Sequence, residues 1–315
     1  MLKILRVLLF YGVLPVILLL TAALTWLRWE SGRPQADYFA NRQGRLASVS
    51  VAETSRSPGQ VSQFLTLASD TGLSVSLRVI RRERAATTLP VLIILGGHRT
   101  GSDAVDLFGD VGEQAVVALD YPYAGAERIR GLGQVLRTVP LARQAFRDTP
   151  PAISLVIDWL SNQDWVDEKQ MIIVGASLGV PFAALAAARD ERIAGAMLVH
   201  GAADNLAWLE VQVARRNDIS MLHLPLARII YWLAYGPAFD TARNVAAISP
   251  RPVVIIGASD DERTPQYQTE ALFAAAGEPK VLRWTQGGHI QPDRSEIVAE
   301  LLRIADELLP FGSTD

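Results

Sequence analysis

Short, continuously apolar runs, each closed by glycine or polar residues, recur along most of this chain. Pro90-Val91-Leu92-Ile93-Ile94-Leu95 ends in Gly96-Gly97, and Ala115 to Leu119, Met171 to Val174, Ile193 to Val199, Pro252 to Ile256 and Lys280 to Trp284 repeat the pattern. Unbroken aliphatic runs of this length predict strands buried on both faces, as in a parallel sheet. Helical segments separate them. Examples are Pro150 to Leu160, with Thr149 as N-cap and proline in the first turn, and Ile297 to Leu309. Upstream, Val61 to Ala68 and Leu73 to Ile80 flank Asp70-Thr71-Gly72, a hairpin signal. The expected fold is α/β: a hairpin feeding a mostly parallel sheet with helices on both faces.

The chain begins differently. Val7 to Leu27 is a run of 21 residues without a charge, long enough to span a bilayer. Lys3 and Arg6 precede it, and Trp26, Arg28, Trp29 and Glu30 close it in the manner of an interfacial anchor. A cleavable signal peptide would have a shorter apolar core and a small-x-small site. Gly12 and Pro15 disfavour a helix in water but are tolerated in membrane helices. The expectation is a retained anchor over residues 1–33, with a cytoplasmic N-terminus and an extracytoplasmic domain. Ser31-Gly32-Arg33-Pro34 breaks the apolar segment, and the polar stretch that follows predicts a linker over 34–60, leaving 61–315 as the main folded domain.

Composition narrows the function classes. The 315 residues are 50% hydrophobic and 20% charged, which is globular, and a formal net charge of −3 argues against a nucleic-acid binder. There is no cysteine, so thiolate catalysis, disulfides and Cys-ligated metals are excluded. The four histidines show no ligand-like spacing, so no metal is expected.

Candidate chemistry sits at the strand ends. Gly175-Ala176-Ser177-Leu178-Gly179, directly after an apolar run and before the small-residue stretch Pro181 to Ala188, reads as a sharp strand-to-helix turn presenting a serine. Glycines two before and two after would remove side chains that clash with the neighbouring strand and helix. A hydroxyl is a poor nucleophile, so such a serine needs a base and an acid to orient it. After the last strand, Gln286-Gly287-Gly288-His289 offers an imidazole. After the strand before it, Ser259-Asp260-Asp261-Glu262-Arg263-Thr264-Pro265 offers two adjacent carboxylates, and counting back from Pro265 favours Asp261 over Asp260. His200, at a strand end, and His223, among apolar residues, read as structural.

The order Ser177, Asp261, His289 resembles that of the α/β-hydrolase superfamily, and the resemblance runs from about Val61 to Leu309. Pro90 to Gly97 resembles the family's third strand entering its oxyanion loop, and Asp120-Tyr121-Pro122-Tyr123-Ala124-Gly125 resembles the turn after the fourth. Asp158-Trp159-Leu160 through Trp165-Val166-Asp167 is similar to the approach to the elbow in dienelactone-hydrolase-like and prolyl-oligopeptidase-like members. Val180 departs from them, standing where many have a second glycine. The resemblance implies an eight-stranded sheet, catalysis by Ser177, His289 and Asp261, and oxyanion donors at the backbone N–H groups of Leu178 and of His98 or Gly97. It implies a serine hydrolase of carboxylic esters or thioesters needing no cofactor, with peptidase and acyltransferase as rival chemistries and a non-catalytic binding module as the rival outside enzymes. The stretch before Val61 is short for the propeller domain of prolyl-oligopeptidase-like enzymes.

Between the sixth and seventh expected strands lies an apolar insertion, about 205–248, with Trp208, Met221, Leu222, Leu226, Ile230, Tyr231 and Trp232. The resemblance makes it a lid and implies an apolar or lipid-like acyl substrate. Arg128, Arg130, Arg137, Arg143 and Arg147 predict a solvated basic helix face, which could also attract anionic headgroups.

Overall fold

The computed structural model describes residues 9–84, 87–97, 100–126, 131–291 and 303–304. A π-helical turn, Leu9–Val13, leads into α1 (Leu14–Ser31). Then come α2 (Ala36–Gln43), β1 (Leu46–Ser57), β2 (Gln60–Ser69), β3 (Ser74–Arg82), β4 (Leu89–Leu95) and β5 (Ala115–Leu119). The second half runs α3 (Leu132–Leu160), β6 (Val166–Ala176), α4 (Gly179–Arg189), β7 (Ile193–Val199), α5 (Asn205–Ala214), α6 (His223–Leu233), α7 (Thr241–Ala246), β8 (Val253–Ala258), α8 (Gln266–Ala275) and β9 (Lys280–Thr285).

One nine-stranded sheet orders these as β1-β2-β3-β5-β4-β6-β7-β8-β9. The pairs from β1 to β5 through β2 and β3 are antiparallel and the rest parallel. All residues of β4, β5 and β8 are buried, because consecutive side chains enter two different cores. Val91, Ile93 and Leu95 join the core under α3, α4 and α8, whereas Leu92 and Ile94 join the core under the 3-10 turn Ser102–Leu107.

Three expectations change. The stretch expected as a linker, 34–60, holds α2 and β1, and β1 adds a ninth strand to the eight expected. Nearly every residue of β1 is exposed, so it carries no apolar run to read, and its place comes from pairing with β2. The helix expected at Pro150 begins at Leu132 and passes through Pro140, Pro150 and Pro151. Each proline removes a helical donor, yet Ala152, Ile153, Leu155, Val156, Ile157 and Leu160 are packed on the sheet, and that burial overrides the local penalty. Thr149 is therefore not an N-cap; its hydroxyl donates to the Ala145 carbonyl at 2.7 Å. The basic face is also not uniformly solvated: Arg137 is exposed, but Arg143 and Arg147 are half-buried over the rings of Tyr235 and Tyr38, and Arg128 and Arg130 lie outside the described residues. The helix expected over 297–309 lies outside them as well, apart from residues 303–304.

Candidate active site

Ser177 stands at the C-terminal end of β6 with φ of +53°, in the left-handed region that a non-glycine residue enters at a cost of about 1–2 kcal/mol. The turn is held on both sides. The Ser177 N–H donates to the Val199 carbonyl of β7 at 2.9 Å, and the Val180 N–H donates to the Ser177 carbonyl at 3.1 Å. A Cβ on Gly175 would come within 2.6 Å of the Ala183 Cβ, and one on Gly179 would strike the Leu95 carbonyl of β4. Val180 is fully buried, and its bulk is taken up by Gly201 beyond β7, whose Cβ would lie 2.7 Å from that of Val180.

His289 follows β9, with its side chain 1% exposed. Its Nε2 is 2.7 Å from Ser177 Oγ, and its Nδ1 is 2.8 and 2.9 Å from the two carboxylate oxygens of Asp261. A carboxylate only accepts, so Nδ1 carries the proton and Nε2 turns its lone pair to the serine. Asp261 Oδ1 also accepts from the backbone N–H groups of Arg263 at 2.8 Å and Thr264 at 2.7 Å, which keeps a buried charge hydrogen-bonded. Asp260 is exposed and takes its hydrogen bond from the Ser259 hydroxyl. Of the two aspartates, the fold brings Asp261 to the imidazole.

Two further groups brace this line: Glu262, to which the sequence assigns no role, and His200, which reads as structural from its strand end. Glu262 Oε2 accepts the His289 backbone N–H at 2.9 Å. His200, fully buried one residue past β7 with φ of +52°, accepts the Ile290 N–H on Nδ1 at 2.8 Å and stands 3.2 Å from Thr285 Oγ1 through Nε2. Its ring packs on His289 with centroids 5.6 Å apart. The available signal was its place at the C-terminal edge of the sheet, where Ser177, Asp261 and His289 also lie. Donor atoms of His200, Asp261 and His289 lie within 4.8 Å of one another, a spacing that could hold an ion, but the hydrogen bonds just described already engage each of the three side chains.

On the oxyanion side, Leu178 opens α4, whose N-terminal dipole end faces the serine. Gly97 approaches from β4: a Cβ there would be 3.6 Å from the Ser177 Cβ. His98, the other expected donor, lies outside the described residues. Gly96 and Ser102, on either side of it in sequence, are tied to the turn after β5. The Tyr121 hydroxyl donates to the Gly96 carbonyl at 2.6 Å, and its burial pushes its pKa well up, keeping it a donor; Asp120 accepts the Ser102 N–H at 2.7 Å.

Above the serine is an apolar cavity lined by Ser177, Leu178, Pro181, Phe182, Phe146 and Phe239, roofed by Trp208, Leu209, Ile230 and Tyr231 of the insertion. The roof is fastened to the acid loop, since Gln212 donates to the Arg263 carbonyl at 2.9 Å and Arg215 donates to that of Glu262.

Residues 145–289 match the prolyl oligopeptidase family. A sequence search of curated proteins returns no match. Among solved structures, the acetyl xylan esterase from Paenibacillus sp. R4 is similar at 15% identity and a TM-score of 0.64, covering 86% of this chain and 92% of its own. Acetyl xylan esterase 1 from Thermoanaerobacterium sp. JW/SL YS485 is similar at 16% identity and a TM-score of 0.60, covering 88% and 96%. The glucuronoyl esterase from Solibacter usitatus follows at 13% identity and 0.56, covering 86% and 91%. At these identities the likeness is one of fold, and with the sheet order it gives the chain an α/β-hydrolase-like fold, similar over residues 145–289 to the prolyl oligopeptidase family.

Proposed function

We propose that the chain is a membrane-anchored serine hydrolase that cleaves carboxylic esters or thioesters through an acyl-enzyme. The observation that carries this reading is the unbroken hydrogen-bonded line from Asp261 through His289 to Ser177, ending at the floor of an apolar cavity. Ser177 Oγ attacks the acyl carbonyl while His289 Nε2 takes its proton, and Asp261 stabilises the imidazolium. The oxyanion is met by the N–H of Leu178 and by one from the loop after β4, at His98 or Gly97; each such donor contributes on the order of 3 kcal/mol. Collapse expels the alcohol or thiol, which takes the proton back from His289. Water, deprotonated by the same imidazole, then releases the acid and restores Ser177.

The anchor rests on Tyr11–Ser31, a 21-residue apolar helical span that is exposed except at Leu27 and Ser31 and one partly buried residue. Lys3 and Arg6 favour a cytoplasmic N-terminus, which puts the catalytic domain on the other side. The esterase names of the similar structures support ester chemistry. Peptide hydrolysis is the second reading, favoured by the family matched over 145–289.

A fluorophosphonate probe tests the proposal. Wild-type protein should label covalently and Ser177→Ala should not; a folded wild type that stays unlabelled overturns it. Turnover of aminoacyl amides in preference to acyl esters would transfer the assignment to the peptidase reading.

A further inference from the structure

We infer that the insertion is a membrane-docking element: α6 and the turn before it seat on the bilayer that holds α1, and acyl chains of bilayer-dissolved esters enter the cavity over that face. The inference rests on the anchored-hydrolase reading and adds to it the origin of the substrate.

Four observations support it. First, α1 is not a loose tether. Its end is buried on the domain at Leu27 and Ser31, and it packs against α6 and the 3-10 turn Gly236–Phe239. The junction is clamped: the Tyr235 hydroxyl donates to Glu30 at 3.3 Å and accepts from Arg143 at 2.9 Å, while Arg147 stacks over Tyr38 and Tyr235 and donates to Gln35 at 3.0 Å. The span therefore leaves the domain beside α6 in a defined direction.

Second, α6 carries an uncovered apolar stripe. Leu222, Leu226 and Ile230 follow one another at i, i+4 and i+8 and are 38%, 36% and 41% exposed, with Ile219 at 54% and Met221 at 79% just before them. A face of this kind beside a bilayer span is covered at least cost by lipid. Third, the stripe leads to the chemistry, because Ile230 belongs both to it and to the cavity that ends on Ser177. Fourth, exposed Trp26 and Trp29 set the headgroup level at the end of α1 that touches the domain, and Arg33 lies over the Trp29 ring.

The absence of cysteine makes the test direct. Full-length chains with Met221→Cys or Glu191→Cys, each carrying an environment-sensitive nitrobenzoxadiazole label, are reconstituted in phosphatidylcholine vesicles containing nitroxide lipid. Glu191 is exposed before β7, at the sheet end opposite Ser177, and serves as the control. The label at 221 should shift to the blue and be quenched by the nitroxide; that at 191 should do neither. A label at 221 that stays in water overturns the inference, and so does one that is shielded but unquenched, which would mean a protein partner or a second copy. In parallel, Met221→Glu with Leu222→Glu should slow hydrolysis of a long-chain ester dissolved in the vesicles by about tenfold or more, since carboxylates resist burial in the bilayer. Hydrolysis of a water-soluble acetyl ester should be unchanged; equal effects on both esters, or none on either, overturn the inference. The depth measurement needs no catalysis, so failure of docking and failure of the hydrolase reading are told apart.

Discussion

Asp260 and Asp261 are chemically identical neighbours in opposite surroundings. Asp260 is exposed, whereas the Asp261 side chain is 1% exposed and meets the His289 ring and two backbone N–H groups. Replacing Asp261 by asparagine keeps the volume but lets an amide N–H face Nδ1, which favours the wrong imidazole tautomer. Asp261→Asn should lower kcat on an acyl ester by about 10³–10⁴-fold. Asp260→Asn should change it by no more than about twofold, as an exposed substitution does. Steady-state kinetics of the two variants checks both, and the reverse order would mean that the acid is misassigned. The choice was half legible in the sequence. Counting back from Pro265 pointed to Asp261, but His200 and Glu262 entered only when the chain was folded, because their roles depend on contacts across 90 and 27 residues of sequence.

At the scale of elements, the elbow shows how neighbours trade volume. The family resemblance leads one to expect a glycine where Val180 stands, and the missing space is found instead at Gly201, on the loop after β7. A Cβ at Gly201 would sit 2.6 Å from Val180 Cγ2, so Gly201→Ala should cost about 1–3 kcal/mol by overpacking. Val180→Ala in the same chain should recover much of that loss, and urea unfolding of the single and double variants measures the coupling. Additive costs would show that the two side chains do not share this space. The same scale explains the elements that sequence pattern missed. Strand β1 is polar because it lies exposed at an edge, and α3 runs through three prolines because its packing outweighs its propensities.

At the scale of the molecule, the junction between the N-terminal helices and the rest of the domain is built from buried polar groups. Tyr38 donates to Asp148 at 2.6 Å, and the same carboxylate pairs with Arg42 at 3.0 Å. Burial, then the hydrogen bond and charge of Asp148, pushes the Tyr38 hydroxyl from its ordinary 10.0 up to about 12. The fold therefore favours the protonated phenol. Its contribution is complete below pH 10 and is lost as pH rises toward 12. Tyr38→Phe should lower stability by a constant amount between about pH 7 and pH 9, and the gap to wild type should narrow above about pH 10. Denaturation across that range reads it, and a gap that widens in alkali would contradict the clamp.

The sequence by itself determined the α/β class, the central strands, the long apolar N-terminal helix and the presence of a serine, an imidazole and a carboxylate after strand ends. These are local properties: an apolar run long enough to be buried on two faces or to cross a bilayer is written in consecutive residues, and so is a glycine-flanked turn. Tertiary structure decided which aspartate meets His289, how Val180 finds room, that 34–60 completes the sheet, and that α1 leans on α6. Each of these depends on contacts between residues far apart in the chain, and neither periodicity nor composition records which distant surfaces meet.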